Sequence, residues 1–503
     1  VLYGATVHRP TIEAKMLSAQ PGEAAGMPGV VKVVIEDGFA GVVAESRPQA
    51  WAARNALEVE WDEGHRWQQE ELEELVTAGG RGGVNIQREG DAPSLLKRGT
   101  PITADYRSGM AEHAPMEPQA ALAVIGQGGG QVWTSTQFET GVRRDVADAL
   151  NLEPAQVEVI PTYLGGGFGR KIELKPVPSP AVEAARLSRA AGAPVHVGWD
   201  RIEEMRDGFV RPLTHHQLSA TLDGSGQIEA LQHEMASGDT LVGVLHEAVG
   251  TILGFDSGST RGAQIPYAIA NRDTTVWRRP VPVPTGSWRG LGLTANIFAI
   301  ESFIDELAHA AGAEPLQFRL DHLPGDALGM RMGAALEAAA ERAGWGSNLP
   351  DDRAQGLALA TDGGTVVAEV AEISLDRESG RIRVHRVVAA VDCGRTINPN
   401  GAAAQVEGSV VMGTSSALLE EITVGDGRLQ AGNFDRYPLI RMAEAPDVET
   451  ILLEAPDGKP RGLGEPPIGP IAPAIGNALF ALTGVRLRRL PMTPERVKAA
   501  LGI

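Results

Sequence analysis

Cysteine is almost absent: Cys393 is the single thiol in 503 residues. One thiol excludes an internal disulfide framework, a CxxC redox pair and any all-cysteine iron-sulfur or zinc site built within this chain. Long apolar runs are missing as well. No window of about 18 uninterrupted apolar residues occurs, so no helical membrane span is expected. Positive charge is in deficit, with 45 Lys+Arg against 64 Asp+Glu and a formal net charge of −19. A chain that repels phosphate backbones at long range is a poor nucleic-acid binder, which leaves small molecules and other proteins as partners. The 11 histidines contain no HExxH and no clusters at zinc spacing. The first residues show no basic n-region followed by an apolar h-region, so no signal peptide is read there. The opening Val1 implies either a cut precursor or one piece of a larger polypeptide. No internal repeat of about 20 to 50 residues stands out.

What is present describes a globular, loop-rich chain: 43% apolar residues with 61 Gly and 33 Pro. The length calls for about two to four domains. The fold class expected is α+β, with mixed α/β layers. Residues 1–75 read as a small α/β unit, with strands at Val30-Val-Lys-Val-Val-Ile35, Ala40-Gly-Val-Val-Ala44 and Leu57-Glu-Val-Glu-Trp61 around an alanine-rich helix from Pro48 to about Ala56. The Glu-, Gly- and Arg-rich stretch from Asp62 to about Arg98 has little periodicity and reads as a surface linker, with 76–99 as its domain-level extent. The remainder, 100–503, reads as one large region divided near 300–350. It opens with strands at Ala121-Leu-Ala-Val-Ile125 and Gln131-Val-Trp-Thr-Ser-Thr136, a helix over 142–150 and a strand at Val157-Glu-Val-Ile160. Later, Ile300, Phe303, Ile304, Leu307 and Ala311 share one helical face, and His309 on that helix reads as structural or solvated.

Two stretches carry candidate chemistry. Leu164-Gly-Gly-Gly-Phe-Gly-Arg-Lys171 clusters glycines ahead of the helix-like Pro180-Ala-Val-Glu-Ala-Ala-Arg-Leu187. Glycines there let backbone N–H groups face an anion, although a tight turn is the more frequent meaning of such a cluster. It lacks the Gly-Lys-Ser/Thr ending of a Walker A loop and does not fit G-x-G-x-x-G followed by a suitably placed acid. The second stretch, Gly462-Leu-Gly-Glu-Pro-Pro467, sets one carboxylate, Glu465, among glycines and prolines just before an apolar helix pattern. Backbone constraint positions such a glutamate, which suits a catalytic base as well as an ordinary loop residue near a helix start. His113 and Glu117 lie four apart, but Pro115 and Pro118 argue against a helix that would join them as a two-ligand metal site.

Six segments in order resemble the molybdenum-binding subunit of the xanthine oxidase family, most of all the branch of isoquinoline 1-oxidoreductase beta subunits, nicotinate dehydrogenases and bacterial aldehyde dehydrogenases. They are His113-Ala-Pro-Met-Glu-Pro118, Ser135-Thr-Gln137, Gly165-Gly-Gly-Phe-Gly-Arg170, Ser287-Trp-Arg-Gly290, Asp392-Cys-Gly-Arg-Thr-Ile-Asn-Pro399 with Gln405-Val-Glu-Gly408, and Gly462-Leu-Gly-Glu-Pro-Pro467. The resemblance implies an α/β hammerhead domain at 1–75 and a molybdopterin-binding region over 100–503. It implies molybdopterin cytosine dinucleotide carrying molybdenum, held by the pterin dithiolene with no protein metal ligand. The implied reaction oxidises an N-heteroaromatic compound or an aldehyde with water as oxygen source, with Glu465 as general base at the Mo–OH group. The implied cofactor contacts are Gln137, Gly166, Gly167, Phe168, Gly169, Arg170, Arg289, Gly290, Gln405 and Gly464, and Trp288 either shapes the substrate pocket or packs in the core. Implied partners are a small subunit with [2Fe-2S] clusters, a cytochrome beyond it, and a second chain or missing N-terminal segment that completes the cofactor site. That last partner is implied because the branch's Gly-Gln-Gly and Gly-Gly-Ser segments do not precede the hammerhead-like unit here. The same departure supports the alternative of a non-catalytic assembly or cofactor-carrying paralogue. Placement in the periplasm, or at a membrane through partners, is what the branch implies, with the cytoplasm left open.

Overall fold

Short apolar runs, two of them with no polar side chain at all, set the first layer. In the computed structural model, which describes residues 1–172, 177–241, 253–455 and 458–503, seven strands form one sheet. Their order is Val157–Pro161, Gly129–Thr134, Ala120–Gly126, Val195–Gly198, Leu2–Thr6, Phe39–Ala44 and Val30–Glu36. Leu2–Thr6 pairs in parallel with Val195–Gly198, Leu2 opposite Val195. Strands from the first 75 residues and strands after residue 120 thus share one sheet. The helix Pro180–Ala191 closes over it, and a Cβ at Gly4 would lie 2.5 Å from Leu187, so the bare glycine sets how near the helix comes.

A second sheet of six strands runs Arg489–Leu490, Ile102–Ser108, Thr214–Leu222, Ile228–Ser237, Arg272–Arg278 and Val84–Glu89. A third, of four strands, runs Arg353–Asp362, Thr365–Asp376, Arg381–Asp392 and Asp447–Leu453. The helix Leu293–Ala310 touches both of these sheets and the helix Ile471–Thr483. It is buried almost all round, not on one face. Tyr106, Phe298, Phe303, Ile304 and Leu307 belong to the same core, where each buried large side chain contributes about 2 kcal/mol relative to exposure. The acids on this helix are paired inside: Glu301 accepts from Arg319 Nε at 2.9 Å and Asp305 from Arg486 at 2.6 Å. His309, half-exposed, stacks edge-on against Phe480, so a structural place is what the fold gives it.

The expected linker over 62–98 needs correction. It carries the helix Gln69–Leu75, the strand Val84–Glu89 and the helix Ala92–Arg98, and that strand is the edge of the six-stranded sheet. Only Leu72, Ala92 and Leu96 are buried along the two short helices, too few apolar positions to show a period against their charged neighbours. Pairing with Arg272–Arg278 supplies the order that local sequence does not.

Candidate cofactor and catalytic site

The strand Gly129–Thr134 ends just before Gln137, and that side chain organises the glycine loop. Its Oε1 accepts the N–H of Gly169 at 3.1 Å and of Lys171 at 3.3 Å, while its backbone N–H donates to the Lys171 carbonyl at 2.8 Å. Gly166, Phe168 and Gly169 have φ of 94°, 56° and 107°, so the chain turns through left-handed backbone three times in four residues. A Cβ at Gly169 would sit 2.0 Å from the Ser287 carbonyl, so the loop lies directly on the backbone of the Ser287–Gly290 turn. Among the described residues, the N–H groups of Gly166, Gly167 and Phe168 donate to no protein acceptor. Lys171 Nζ is buried, donates to Ser135 Oγ at 2.9 Å and pairs with Glu117. Burial pushes the Glu117 carboxyl up, but Lys171 and the Gly165 N–H outweigh it and hold the group below its ordinary value. Arg170 does not reach this opening with its side chain. Its guanidinium is sealed between Trp199 and Phe209 and lies 3.1 Å from Glu204.

The Ser287–Gly290 turn joins the two halves of the site. His113 Nε2 donates to the Ser287 carbonyl at 2.7 Å, which fixes the proton on that nitrogen because a carbonyl only accepts. Trp288 is 1% exposed, donates to the Glu112 carbonyl at 3.2 Å and packs with Leu293, Ile297, Ala360 and Ile468. In this chain its core-packing role is the one on view. Arg289 Nε donates to the Gly464 carbonyl at 2.8 Å, and its Nη2 donates to Gln405 Oε1 at 3.1 Å and to the Gln405 carbonyl at 3.2 Å. The Gly290 N–H donates to Glu465 Oε1 at 3.1 Å. Arg289, Gly290, Gln405, Gly464 and Glu465 therefore form one hydrogen-bonded cluster.

Local chemistry holds each arm of that cluster. Asn398 Oδ1 accepts the Gly401 N–H at 3.0 Å and caps the helix Pro399–Leu418, on which Gln405 sits exposed. Asp392 Oδ1 accepts the Gly394 N–H at 2.9 Å, and the Cys393 carbonyl accepts from Arg461 N–H at 2.8 Å, leading the chain toward Gly464. Pro466 and Pro467 open a short 3-10 turn in which the Ile468 N–H donates to the Glu465 carbonyl at 3.0 Å.

Sequence reasoning missed the group that grips Glu465. Arg261 Nη1 donates to Glu465 Oε2 at 2.6 Å across 204 positions, and the same guanidinium grips Asp362. Burial lowers the Arg261 pKa, but its two carboxylates raise it further, so its charge is secure. No local pattern at Gly258-Ser-Thr-Arg261 marks it. Glu465 itself is 40% exposed, not buried as an isolated base in an apolar pocket would be.

Comparison with known proteins fits this geometry. Two family models, both for a molybdopterin cofactor-binding domain, match residues 79–323 and 298–446. The chain is 30% identical to a nicotinate dehydrogenase subunit of Pseudomonas putida over 97% of its own length and 42% of that protein. It is 33% identical to the isoquinoline 1-oxidoreductase beta subunit of Brevundimonas diminuta, over 78% of this chain and 50% of that protein. Among solved structures, the aldehyde oxidoreductase of Desulfovibrio gigas superposes with a TM-score of 0.83 at 18% identity, covering 100% of this chain and 77% of that one, which shows the shared fold. The matched domains are molybdopterin cofactor-binding domains, and the two relatives that share them are named as dehydrogenase and oxidoreductase subunits. The chain belongs to the molybdenum-binding subunits of the xanthine oxidase family. It spans about half or less of the length of those two relatives. The residues present fit such a cofactor on an observation of their own: three successive backbone N–H groups without acceptors among the described residues, on a loop whose glycines leave the backbone bare, suit an acceptor-rich anionic group.

Proposed function

We propose that this chain is the larger part of a molybdenum hydroxylase catalytic subunit that oxidises an N-heteroaromatic compound or an aldehyde, with Glu465 as its general base. The observation that carries the reading is the Glu465 carboxylate, held from two sides by Arg261 and the Gly290 N–H inside the cluster of Arg289, Gln405 and Gly464. When bound, the molybdenum cofactor supplies two-electron oxidation and transfer of a water-derived oxygen to an electron-poor carbon. Its cytosine dinucleotide form is part of this proposal, and acid release of cytidine monophosphate from the purified protein tests it.

The chain's own residues divide the work. The N–H groups of Gly166, Gly167 and Phe168 donate to the cofactor, joined by Gln137 through Nε2, since Oε1 is spent on the loop. Gly169 holds the loop against Ser287, and Arg170 anchors it from inside. Arg289, Gly290 and Gln405 form the opposite wall. Each carboxylate oxygen of Glu465 accepts one donor and keeps a second lone-pair site, where a proton can be taken up without releasing the clamp. Electrons then leave through a partner, because one cysteine cannot hold an iron-sulfur relay. A small [2Fe-2S] subunit with a cytochrome beyond it is the proposed route, and iron co-purifying with the chain tests it. A further polypeptide segment is proposed to complete the cofactor shell. The two relatives named for nicotinate and isoquinoline support the N-heteroaromatic half of this reading.

Glu465→Gln in the assembled enzyme should abolish turnover, by about 10³-fold or more, while molybdenum per chain stays unchanged. Retained turnover would remove Glu465 from the mechanism. A second reading, a non-catalytic cofactor-carrying paralogue, is favoured by the Arg261 clamp on the proposed base. It predicts bound molybdenum with no oxidation of any tested N-heterocycle or aldehyde in the unmutated protein.

A further inference from the structure

A cleft of about 460 Å³ lies between Thr6–Ile12, the region 54–61 and the helix Arg201–Arg206, with no lining residue from the glycine loop or the Glu465 cluster. Its wall is of two kinds. On the strand Glu58–Asp62, Val59 and Trp61 are two apart and face the same side, and both line the cleft with Leu57 and Ile202. Against this apolar wall stand the arginines 9, 54, 206 and 428 and His8.

Most of those cations are already engaged. Arg54 pairs with Glu203, and Arg206 Nε donates to the Ala431 carbonyl at 2.9 Å. His8 is held between Glu183 at 2.8 Å and Asp207 at 2.9 Å. The acids of the lining, Glu203 and Asp207, are consumed by the same contacts. Two guanidiniums are left over: the side chains of Arg9 and Arg428 make no hydrogen bond or ion pair with any described residue. Arg9 is half-buried, and burial lowers its pKa with only the Asp207 charge opposing. A partly desolvated guanidinium that makes no hydrogen bond or ion pair costs free energy that a bound anion would return. In a chain of net charge −19, two such groups in one apolar-walled cleft are not a product of general basicity.

We propose that this cleft is a binding site for a small aromatic carboxylate, its carboxylate on Arg9 and Arg428 and its ring against Trp61 and Val59. The planar guanidinium fork matches a carboxylate, and the apolar wall rewards a ring that inorganic phosphate does not have. The proposal is independent of the role of Glu465.

Titrating the full 503-residue chain with sodium benzoate by calorimetry tests it. One saturable site per chain is expected, weakened about tenfold by Arg9→Gln and about threefold by Arg428→Gln, with Arg98→Gln unchanged. Arg428 is exposed, so its variant decides the matter even if Arg9→Gln fails to fold. Absence of saturable binding, or equal affinity in Arg428→Gln and the parent, overturns the proposal. Inorganic phosphate displacing benzoate at equal concentration overturns the aromatic half of it. Molybdenum content and the Glu465→Gln result do not depend on any of these outcomes.

Discussion

The glycine loop and the glutamate turn meet at the same four residues, Ser287–Gly290, yet one arrives with its donors free and the other with its acceptors taken. In the loop, Gln137 binds the N–H groups of Gly169 and Lys171 and leaves those of Gly166, Gly167 and Phe168 without an acceptor among the described residues. In the turn, Glu465 is gripped by Arg261 and Gly290, and the Gly464 carbonyl by Arg289. On the proposed reading the first arm is built before its ligand arrives, since its cost in strained backbone is already met by its own contacts. The second is an ion-paired cluster whose central carboxylate already has donors on both oxygens. On that reading, binding and chemistry fall to different kinds of local order within one site.

Substitutions break that comparison in order of expected effect. Glu465→Gln has the largest, the loss of turnover of about 10³-fold with metal content intact. If molybdenum is lost too, the glutamate arm is a binding arm and the contrast disappears. Gly169→Ala comes next. At φ 107° with the Ser287 carbonyl 2.0 Å from the new Cβ, it should destabilise the loop by about 3 kcal/mol and lower molybdenum per chain. Metal retention at the parental level would show that the loop does not need its native path. Arg261→Gln is smaller. The guanidinium is 26% exposed and its Asp362 partner 11%, so about 1–2 kcal/mol of stability should go, together with about tenfold in turnover. An unchanged rate in that variant would mean that the clamp opens when the site is loaded.

The smallest effects concern two histidines that sit in different parts of the fold. His8, beside Glu183 and Asp207, is penalised by burial but raised well above its ordinary value by those two acids. Its folded pKa exceeds the unfolded one, so its stabilisation is full below about pH 6.5 and is lost as pH rises through the folded value. His233, buried in the six-stranded sheet, is lowered to about 4 by desolvation. Between about pH 6.5 and that value the unfolded chain takes the proton first, so stability falls as pH falls. Melting temperature against pH should therefore show an alkaline slope that His8→Gln removes and an acid slope that His233→Gln removes, each on the order of 1 kcal/mol. Slopes that persist in both variants would assign the pH dependence to other groups.

Much of the layering was legible beforehand because it is local. The strands at 30–35, 40–44, 121–125 and 157–160 and the helix at 142–150 follow local period, and each appears within a few residues of its expected bounds. The segment at 62–98 was not legible, because its order comes from pairing with Arg272–Arg278. The helix at 293–310 showed one apolar face, but packing between two sheets buries its other faces through paired acids. Of the candidate residues, Gln137 with the glycines, and Arg289, Gly290 and Gln405 with Glu465, are joined by hydrogen bonds within each set. Arg170 and Trp288 are drawn into the interior instead.

By itself the sequence determined the family, through six motifs in a set order, because glycine, proline and carboxylate positions constrain backbone and charge locally. It also excluded an iron-sulfur relay within the chain, since the ligands for one are missing. Only the tertiary structure decided that Arg261, 204 positions away, would take the Glu465 carboxylate, that Arg170 would turn inward and that Arg9 would make no hydrogen bond or ion pair among the described residues. Those outcomes depend on which distant charges burial brings together, and a salt bridge leaves no period in the chain that forms it.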